Sequence, residues 1–536
     1  MGKRTKQALF SAVAASLLVC GGFAGQPVHA QSTPFNDIEG SYAKSAIVSL
    51  YKHQIVNGTS ASAFSPRKKV SRAELLAALE RLLKLEKTFS PVTEFDDVQA
   101  GAWYFGYVQA AVQLGLADGT SATSFQPDKP VTRQEAAVLL QRVLKQPAAA
   151  ISTSAFRDRG SIAFWAAGPV SNISKLGLMK GDGTGAFRPD APVTRQEMAV
   201  LLYRIQKRPD WSGQFGRPSR DRIQLGWQYL QSTEQYKRTV LKAGINILSP
   251  RWYFIGEQGA VSDGTDPSLV KWASENGKKV WALVGNRSNR ELTSEVLSDP
   301  SHRAALAKRL FTLVKQHGLN GLNIDFENMT VGDRSEYALF IKDLAKRLHS
   351  IGAKLSVDVA PDFGADWTDE FDYAALGAAA DYVVLMSYEE HWIGSPIAGS
   401  VASLPWSAQG LKTLMEQVSA NKIILGMPLF SRDWTFQPDG SFPSHDINLT
   451  EQNRLLATNA AAVEWNSFLG QYEASYTVNG LQHRIWLEEG RSLTQKTRLA
   501  LDNNTAGLAY WYTGGGSDDV WASIRNAIRF NGYAFD

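Results

Sequence analysis

The stretch Leu322-Asn323-Ile324-Asp325-Phe326-Glu327 decides the fold, because apolar and polar residues alternate in it without interruption. A period of two is typical of a β-strand whose two faces meet different surroundings, with same-face side chains about 6.6 to 7 Å apart. We expect one face to pack against apolar helices: Leu322, Ile324 and Phe326. We expect the other face to line a polar interior and to rise toward its rim: Asn323, Asp325 and Glu327.

Further β-type runs lie on both sides of this stretch, and helical patterns separate them. The eight runs span residues 222–227, 245–249, 279–285, 319–327, 354–360, 381–388, 422–428 and 507–512. Strands that alternate with helices over about 300 residues predict an α/β fold, specifically a (β/α)8 TIM barrel covering residues 221–536. The long segment from 430 to about 498, after the seventh run, predicts an inserted subdomain.

Two acids on the inner face of a barrel strand indicate chemistry. Burying them costs several kcal/mol unless they are hydrogen-bonded or partly neutralised, so a purely structural role is uncommon. Glu327 lies nearest the mouth of the predicted barrel, and its acidic neighbour Asp325 should raise its proton affinity. Glu327 is therefore the candidate general acid.

The sequence does not identify a second carboxylate that could act as the nucleophile of a two-carboxylate retaining glycosidase, which has to lie about 5 to 5.5 Å from the acid. A 2-acetamido sugar can instead attack its own anomeric carbon through the amide oxygen. In that case Asp325 would hold the amide N–H and stabilise the oxazolinium cation.

Residues 320–327 resemble the D-G-x-D-x-D-x-E signature of glycoside hydrolase family 18. Residues 386–389 are similar to the family's M-T-Y-D motif, and Trp511 is similar to the Trp beneath its central subsite. The resemblance implies that Tyr388 is catalytic and hydrogen-bonds the acetamido oxygen, and that Trp511 stacks on the sugar. It implies further substrate contacts by three residues: Asn323, Met386 and Glu389.

The sequence departs from the family signature at three positions. Asn320 and Asn323 replace acids of the commonest pattern, so we expect no carboxyl group below Asp325 with which it could share a proton. Glu389 stands where Asp is usual. Three shorter segments, 249–253, 388–392 and 403–406, are similar to the spore-cortex-lytic branch of the family, which acts on peptidoglycan as N-acetylglucosaminidases.

A threefold repeat precedes the barrel. Phe35, Phe95 and Phe156 open similar segments at spacings of 60 and 61 residues, and a turn, a Phe-x-Pro triplet and a second helical pattern follow in each. Each second helix begins with Ser or Thr and has Glu three residues later, which is a capping box. An Arg follows the cap in all three copies: Arg72, Arg133 and Arg195.

The repeated Arg has two possible roles. A solvated charge or a local ion pair would explain one copy, whereas three copies at one position favour an anion site in which the guanidinium clamps a carboxylate. Aromatic residues at the start of the first helices could provide faces for a sugar ring or belong to the core: Tyr42, Trp103 and Trp165.

These segments resemble S-layer homology repeats, over residues 34–88, 94–147 and 155–206. The resemblance implies a module that binds a pyruvylated secondary cell-wall polysaccharide, with contacts to the acidic ketal from Arg72, Arg133 and Arg195. Trp103 and Trp165 would complete this site. In the first repeat Tyr42 replaces the Trp and Asn57-Gly58 replaces Asp-Gly. Residues 207–220, rich in Pro and Gly, are predicted to be a linker.

Residues 1–30 have the layout of a secretory signal peptide, with Lys3, Arg4 and Lys6 before an apolar stretch and a small-residue exit at Ala30. A lipoprotein signal ending at Cys20 is the alternative. Removing this segment takes away the one Cys, which excludes disulfides and thiolate ligands. It also reduces the formal charge of the chain from +4 to +1, so the sequence does not predict a nucleic-acid-binding surface.

The sequence therefore predicts a secreted glycoside hydrolase held on the cell wall or S-layer of a Gram-positive-type envelope, with neither a metal nor a cofactor. Its substrate would be a polymer of β-1,4-linked N-acetylglucosamine, either peptidoglycan or chitin. A second hypothesis is a non-catalytic surface protein that binds glycans through the same cleft. Neither a membrane span nor a nucleic-acid partner is expected.

Overall fold

A computed structural model describes residues 34–144, 156–213, 215, 222–364 and 368–531. The predicted signal peptide lies outside these residues, as do positions 214 and 216–220 of the predicted linker. The described residues form a helical module, a closed parallel barrel and an antiparallel sheet inserted into the barrel.

Helices dominate the N-terminal module. They are α1 (Lys44–Lys52), α2 (Arg72–Leu83), α3 (Phe105–Gln113), α4 (Arg133–Val143), α5 (Phe164–Lys175), α6 (Arg195–Gln206) and α7 (Pro209–Ser212). The three predicted capping boxes are present, at Ser71, Thr132 and Thr194. In each box the capping hydroxyl accepts a hydrogen bond from the backbone N–H of the Glu three residues later. The carboxylate of that Glu in turn accepts a hydrogen bond from the backbone N–H of the capping residue. The chain continues past α6 in the module, since Trp211 is buried in its core.

The barrel strands are β1 (Ile223–Gln228), β2 (Ile247–Ile255), β4 (Lys279–Gly285), β5 (Gly321–Asp325), β6 (Lys354–Val359), β7 (Tyr382–Met386), β8 (Ile423–Pro428) and β14 (Gly507–Trp511), and the short β3 (Val261–Asp263) pairs antiparallel with β2. All eight predicted runs contain a strand. They pair in parallel in chain order, and pairs β1–β2 and β1–β14 close the barrel. The predicted (β/α)8 barrel is confirmed.

Helices surround the barrel: α8 (Thr233–Ala243), α9 (Pro267–Glu275), α10 (Arg290–Ser298), α11 (Pro300–His317), α12 (Arg334–His349), α13 (Tyr373–Ala379), α14 (Leu404–Met415), α16 (Gly490–Asp502) and α17 (Asp518–Arg529). The apolar face of β5 packs against this layer, since Leu322, Ile324 and Phe326 are fully buried in the same cluster as Phe340 of α12. The polar face of β5 therefore lies inside the barrel, as the alternation predicts.

The inserted segment after β8 folds as a five-stranded antiparallel sheet with one helix. Its elements are β9 (Phe430–Phe436), β10 (Ser444–Asn448), α15 (Leu449–Thr458), β11 (Ala462–Asn466), β12 (Gln471–Val478) and β13 (Leu481–Trp486), and the sheet order is β10-β9-β13-β12-β11. The sheet ends before α16, so the insertion is about ten residues shorter than the sequence predicts. Its position immediately after a barrel strand places it beside the barrel mouth.

Candidate active site and surface-binding residues

Asp325 and Glu327 occupy the C-terminal end of β5, where the active sites of such barrels lie. Asp325 is buried at 9% exposure, Glu327 is exposed just beyond the strand, and the two carboxyl groups interact electrostatically. Among the described residues, Oδ1 of Asp325 is buried without a hydrogen-bond partner. Burial raises the pKa of Asp325 well above its usual range, the charge of Glu327 adds to the rise, and Arg251 opposes it.

Asn323 lies one step deeper on the same face and is fully buried. Its carbonyl oxygen accepts hydrogen bonds from Trp227 Nε1 at 2.7 Å and Ser249 Oγ at 3.2 Å. Its amide nitrogen donates to Ser356 Oγ at 3.0 Å and to Asp358 Oδ1 at 2.6 Å. The amide of Asn323 is therefore satisfied by protein groups, and a direct contact with substrate stays a prediction.

Asp358 on β6 corrects one expectation from the sequence. Asn323 was expected to leave Asp325 without a second carboxyl group, but Asp358, at 1% exposure, provides one from the neighbouring strand. Burial raises the pKa of Asp358 well above its usual range, and the charge of Asp325 contributes to this rise. The acid missing from β5 thus has a counterpart on β6.

A strained loop after β4 holds Glu327. Arg287 and Ser288 both have positive φ, 56° and 52°, which costs energy for residues other than glycine. This conformation lets Ser288 Oγ donate to Glu327 Oε2 at 3.1 Å. Asn286 accepts from the Glu327 backbone N–H at 3.1 Å and donates to its carbonyl oxygen at 2.8 Å. The loop fixes both the backbone and the carboxylate of the candidate acid.

A cavity of about 320 Å³ opens beside Glu327 and contains three further predicted residues: Met386, Tyr388 and Glu389. Burial raises the pKa of Tyr388, and the surrounding carboxylates add to the rise, so its hydroxyl stays protonated. Glu389 forms an ion pair with Arg432 of β9 at 3.1 Å. The inserted sheet therefore helps to build the cleft wall.

Trp511 ends β14 and packs against the cluster that contains Met386 and Tyr388. Its indole ring stacks on Tyr229, with centroids 5.5 Å apart and planes at 19°. The structure thus brings Asp325, Glu327, Met386, Tyr388 and Trp511 together at one end of the barrel. An aromatic face next to an acid pair suits a pyranose ring.

Sequence analysis missed two cleft residues, Arg290 and Glu370, which line the same cavity as Glu327. Burial raises the pKa of Glu370 to about 7, and the charges of Asp333 and Glu327 contribute, against the lowering effect of Arg290. Both residues lie outside the barrel strands, where no periodic pattern marks a side chain as inward-facing.

In the N-terminal module the three repeated arginines join successive repeats. Arg72, Arg133 and Arg195 donate through Nε to the carbonyl oxygens of Phe125, Phe187 and Phe64 at 3.0, 2.8 and 2.7 Å. Each guanidinium also lies over the ring of that Phe, and its Nη1 is 3.9, 4.0 or 3.3 Å from the capping-box Glu of another repeat. These arginines therefore have a structural role, and a ligand-binding role stays a prediction.

The three aromatic residues at the start of the first helices lie on the surface of the module rather than in its core. Tyr42, Trp103 and Trp165 are 70%, 54% and 56% exposed. Trp103 lines a cavity of about 300 Å³ together with Glu74, Arg81 and Arg195. One predicted aromatic residue and one predicted arginine thus share a groove between repeats.

The described residues contain neither a metal-binding cluster nor a membrane-spanning helix. In residues 34–144, 156–213, 215, 222–364 and 368–531, no group of three or more His, Cys, Asp or Glu is arranged to hold a metal ion. Over the same part of the chain, no helix combines the length and the apolar character that a membrane span requires. The expected absence of a metal and of a cofactor remains a prediction.

A closed (β/α)8 barrel with a carboxyl pair at its C-terminal mouth, preceded by a helical repeat module, defines a glycoside hydrolase with a surface-binding module. Residues 256–515 match the family model of glycosyl hydrolases family 18, and residues 34–76, 94–137 and 155–199 match the S-layer homology domain. The chain thus carries a glycosyl hydrolases family 18 domain and three S-layer homology domains, which associate it with the cell surface.

Three relatives agree with the assignment of a glycoside hydrolase. The chain is 29% identical over 298 residues to the uncharacterized glycosylase YvbX of Bacillus subtilis, covering 53% of this chain and 85% of that protein. It is 25% identical over 259 residues to the cortical fragment-lytic enzyme of Bacillus subtilis, covering 46% of this chain and 59% of the enzyme. The chitinase structure from Chromobacterium violaceum is 25% identical, with a TM-score of 0.52, over 57% of this chain and 98% of that one.

Proposed function

We propose that the protein hydrolyses β-1,4 bonds that follow N-acetylglucosamine, with retention of configuration and with the substrate's acetamido group as nucleophile. The carboxyl pair of Asp325 and Glu327, on one face of β5 at the barrel mouth, carries this proposal. The other acids nearby are poor nucleophiles: Asp358 is buried under Asn323, and Glu389 is paired with Arg432. Burial favours the neutral form of Glu370.

In the first step, Glu327 donates its proton to the glycosidic oxygen as the bond to the anomeric carbon breaks. The acetamido oxygen attacks that carbon and forms an oxazolinium ion. Asp325 accepts a hydrogen bond from the amide N–H and stabilises the positive charge, and its buried, otherwise unpartnered Oδ1 suits this contact. Tyr388, kept protonated by burial, donates to the acetamido oxygen and orients it.

In the second step, the Glu327 carboxylate takes a proton from water, and the oxygen of that water bonds to the anomeric carbon. The carbon–oxygen bond to the acetamido group breaks, which restores the amide. Two displacements at one carbon retain its configuration. Trp511 supports the sugar ring from below, and the loop of Asn286 and Ser288 keeps Glu327 in place during both steps.

We propose peptidoglycan as the native substrate and chitin oligomers as an alternative one. A protein held on the cell wall meets peptidoglycan at high local concentration, and two of the relatives above are named for cortical-fragment lysis and for chitinase activity.

The test is mass spectrometry of the fragments that the purified protein releases from cell wall, spore cortex and chitin, with proton NMR of the new reducing end. We expect fragments from wall or cortex that end in N-acetylglucosamine, with the β-anomer formed first. An α-anomer formed first would contradict the mechanism, and cleavage of chitin alone would overturn the substrate preference.

For the anchor, we propose that the repeat module binds a pyruvylated secondary cell-wall polysaccharide, which would hold the secreted protein on the wall or S-layer. The groove of Trp103 and Arg195 has an exposed aromatic face beside a cation, which suits an acidic sugar. The module's two exposed tryptophans, Trp103 and Trp165, allow a test that spares the contacts between repeats.

Replacing Trp103 and Trp165 with Ala should release the protein from purified walls, and replacing Arg72, Arg133 and Arg195 together with Lys should do the same. Circular dichroism should show that the tryptophan variant keeps its helical content, whereas the arginine variant also loses contacts between repeats. Unchanged retention by pyruvylated wall polymer in the tryptophan variant would reject the anchoring proposal.

A further inference from the structure

Three arginines follow one wall of the cleft. Arg251 lies on β2, Arg287 in the loop after β4, and Arg290 at the start of α10. The guanidinium carbon of Arg251 is 5.8 Å from the centroid of Trp511, and Arg290 lines the cavity that contains Glu327. The three residues, which we call the arginine wall, thus extend from the proposed sugar platform to the general acid.

Aromatic rings hold two residues of the arginine wall, Arg251 and Arg287, in place. Arg251 packs over Tyr229 at 4.9 Å and over Phe254 at 5.6 Å. Arg287 packs over the same Phe254 ring at 4.2 Å. Cation–π contacts fix the position of a guanidinium group but leave its N–H donors available at the edge.

None of these guanidinium groups forms a salt bridge with a carboxylate of the described part of the chain. Nε of Arg251 is buried and makes no hydrogen bond to any described residue. Arg290 donates to the neutral side chain of Asn328 at 2.8 Å. The positive charge of Arg251 is partly buried and forms no salt bridge, which is costly, whereas Arg287 and Arg290 are exposed at the mouth. A carboxylate of the ligand would offset the cost at Arg251 and would accept hydrogen bonds from the other two.

The acids of the opposite wall do not neutralise the arginines. Glu389 is paired with Arg432 from the inserted sheet. Burial raises the pKa of Glu370 to about 7 and so disfavours its charge. On the side of β2 and β4 the cleft therefore carries three arginines beside Asp325 and Glu327, which is more positive charge than a neutral glycan requires.

We propose that the arginine wall binds a carboxylate carried by the glycan, beside the acetamido sugar that is cleaved. The proposal rests on the proposed glycosidase function and narrows its substrate to anionic acetamido-glycans. In peptidoglycan such a carboxylate comes from one of two sources: the lactyl ether of the neighbouring sugar when the stem peptide has been removed, or the stem peptide itself. The planar guanidinium forms two parallel hydrogen bonds to either carboxylate.

The first experiment compares the wild-type chain with the double variant Arg287→Gln/Arg290→Gln. These two arginines are chosen because they do not contact Trp511, and Arg238→Gln, an exposed arginine on the outer helix α8, is the matched control. Three substrates are used: glycan strands with stem peptides, strands stripped of peptide by an amidase, and chitin hexamer.

We expect the double variant to lower kcat/KM on anionic strands, relative to chitin hexamer, by about tenfold or more, mainly through KM. Raising the salt concentration should weaken wild-type activity on anionic strands and have little effect on the variant. A loss confined to stripped strands assigns the lactyl carboxylate, and a loss confined to intact strands assigns the stem peptide. Equal losses on all three substrates, or no loss, would overturn the proposal.

A second measurement does not depend on turnover. Binding of stripped strands and of chitin hexamer is measured by calorimetry in a Glu327→Gln background, with and without the two arginine substitutions. The proposal requires that the substitutions weaken only the binding of the anionic strand. If the wild-type chain cleaves none of the substrates, the proposed hydrolysis fails, while this measurement still decides the arginine wall.

Discussion

Asn323 and Asp358 form the polar layer beneath the two acids of β5. The Asn323 amide bridges donors on β1 and β2 to acceptors on β6, with Asp358 Oδ1 at 2.6 Å. The charges of both Asp325 and Glu327 raise the pKa of Asp358, and this coupling is reciprocal, so an ionised Asp358 also disfavours ionisation of the pair above it.

Replacing Asp358 with Asn should therefore let Asp325 lose its proton at lower pH. The pH profile of kcat/KM should move to lower pH, because Asp325 no longer has a buried acid coupled to it. Ser356→Ala removes another hydrogen-bond partner of Asn323 but no charge, so it is the control. If both variants have the same pH profile of kcat/KM as the wild type, the coupling of Asp358 to Asp325 is wrong.

The sequence predicts a site residue when that residue follows the two-residue period of a strand. Asp325 and Glu327 were found because they alternate with buried apolar residues. Leu355-Ser356-Val357-Asp358-Val359 has the same alternation, so the signal for Asp358 was present. Arg290 and Glu370 could not be found in this way, because residues outside the strands have no fixed direction.

At the scale of elements, the predicted strands are present because each is an apolar or alternating run between helical patterns. The strand ends differ by a few residues. β2 continues to Ile255, where it gains the antiparallel partner β3, and β5 ends at Asp325 because the chain turns at the barrel mouth. The strand order of the insertion could not be predicted, because pairing between distant strands depends on tertiary contacts.

Helix α16 begins with a buried acidic cap. Glu489 accepts hydrogen bonds from the backbone N–H groups of Arg491 and Ser492, each at 2.8 Å, and from Ser90 Oγ of the repeat module at 3.3 Å. Burial raises the pKa of Glu489 to about 7, and the nearby carboxyl groups Asp519 and Glu94 contribute. In the unfolded chain the pKa of Glu is about 4.3.

The folded state therefore binds a proton at Glu489 that the unfolded chain has already lost between about pH 4.3 and 7. The stability that this proton provides is complete below that window and is lost as the pH rises through it. Glu489→Gln should make the unfolding temperature less dependent on pH within the window. Glu416→Gln, an exposed residue, is the control, and an unchanged slope in the Glu489 variant would contradict the assignment.

At the scale of the whole molecule, the repeat module is docked on the barrel through the segment between its first two repeats. Asn526 of α17 exchanges two hydrogen bonds with the backbone of Glu86, at 3.0 and 2.7 Å. Arg525 forms a two-pronged ion pair with the Glu86 carboxylate, and Phe530 is buried in the core of the module. The residues involved are about 440 positions apart, so no local pattern could predict the contact.

We expect Asn526→Ala to lower the free energy of unfolding of the full chain by about 1 to 3 kcal/mol, because it removes two part-buried hydrogen bonds between the buried Asn526 side chain and the backbone of Glu86. Arg525→Ala should cost less than about 1 kcal/mol, because its ion pair is partly exposed, at 30% and 45%. Urea unfolding measures both values. Equal effects of the two substitutions would mean that the hydrogen bonds of Asn526 do not hold the repeat module on the barrel.

The proposed mechanism depends on Glu327, which transfers the proton to the leaving oxygen. The most direct test is the turnover of an N-acetylglucosamine oligomer with an unactivated leaving group by Glu327→Gln, which keeps the size of the side chain and removes its acid. We predict that kcat falls by about 10²-fold or more with little change in KM. Turnover at the wild-type rate would contradict the account.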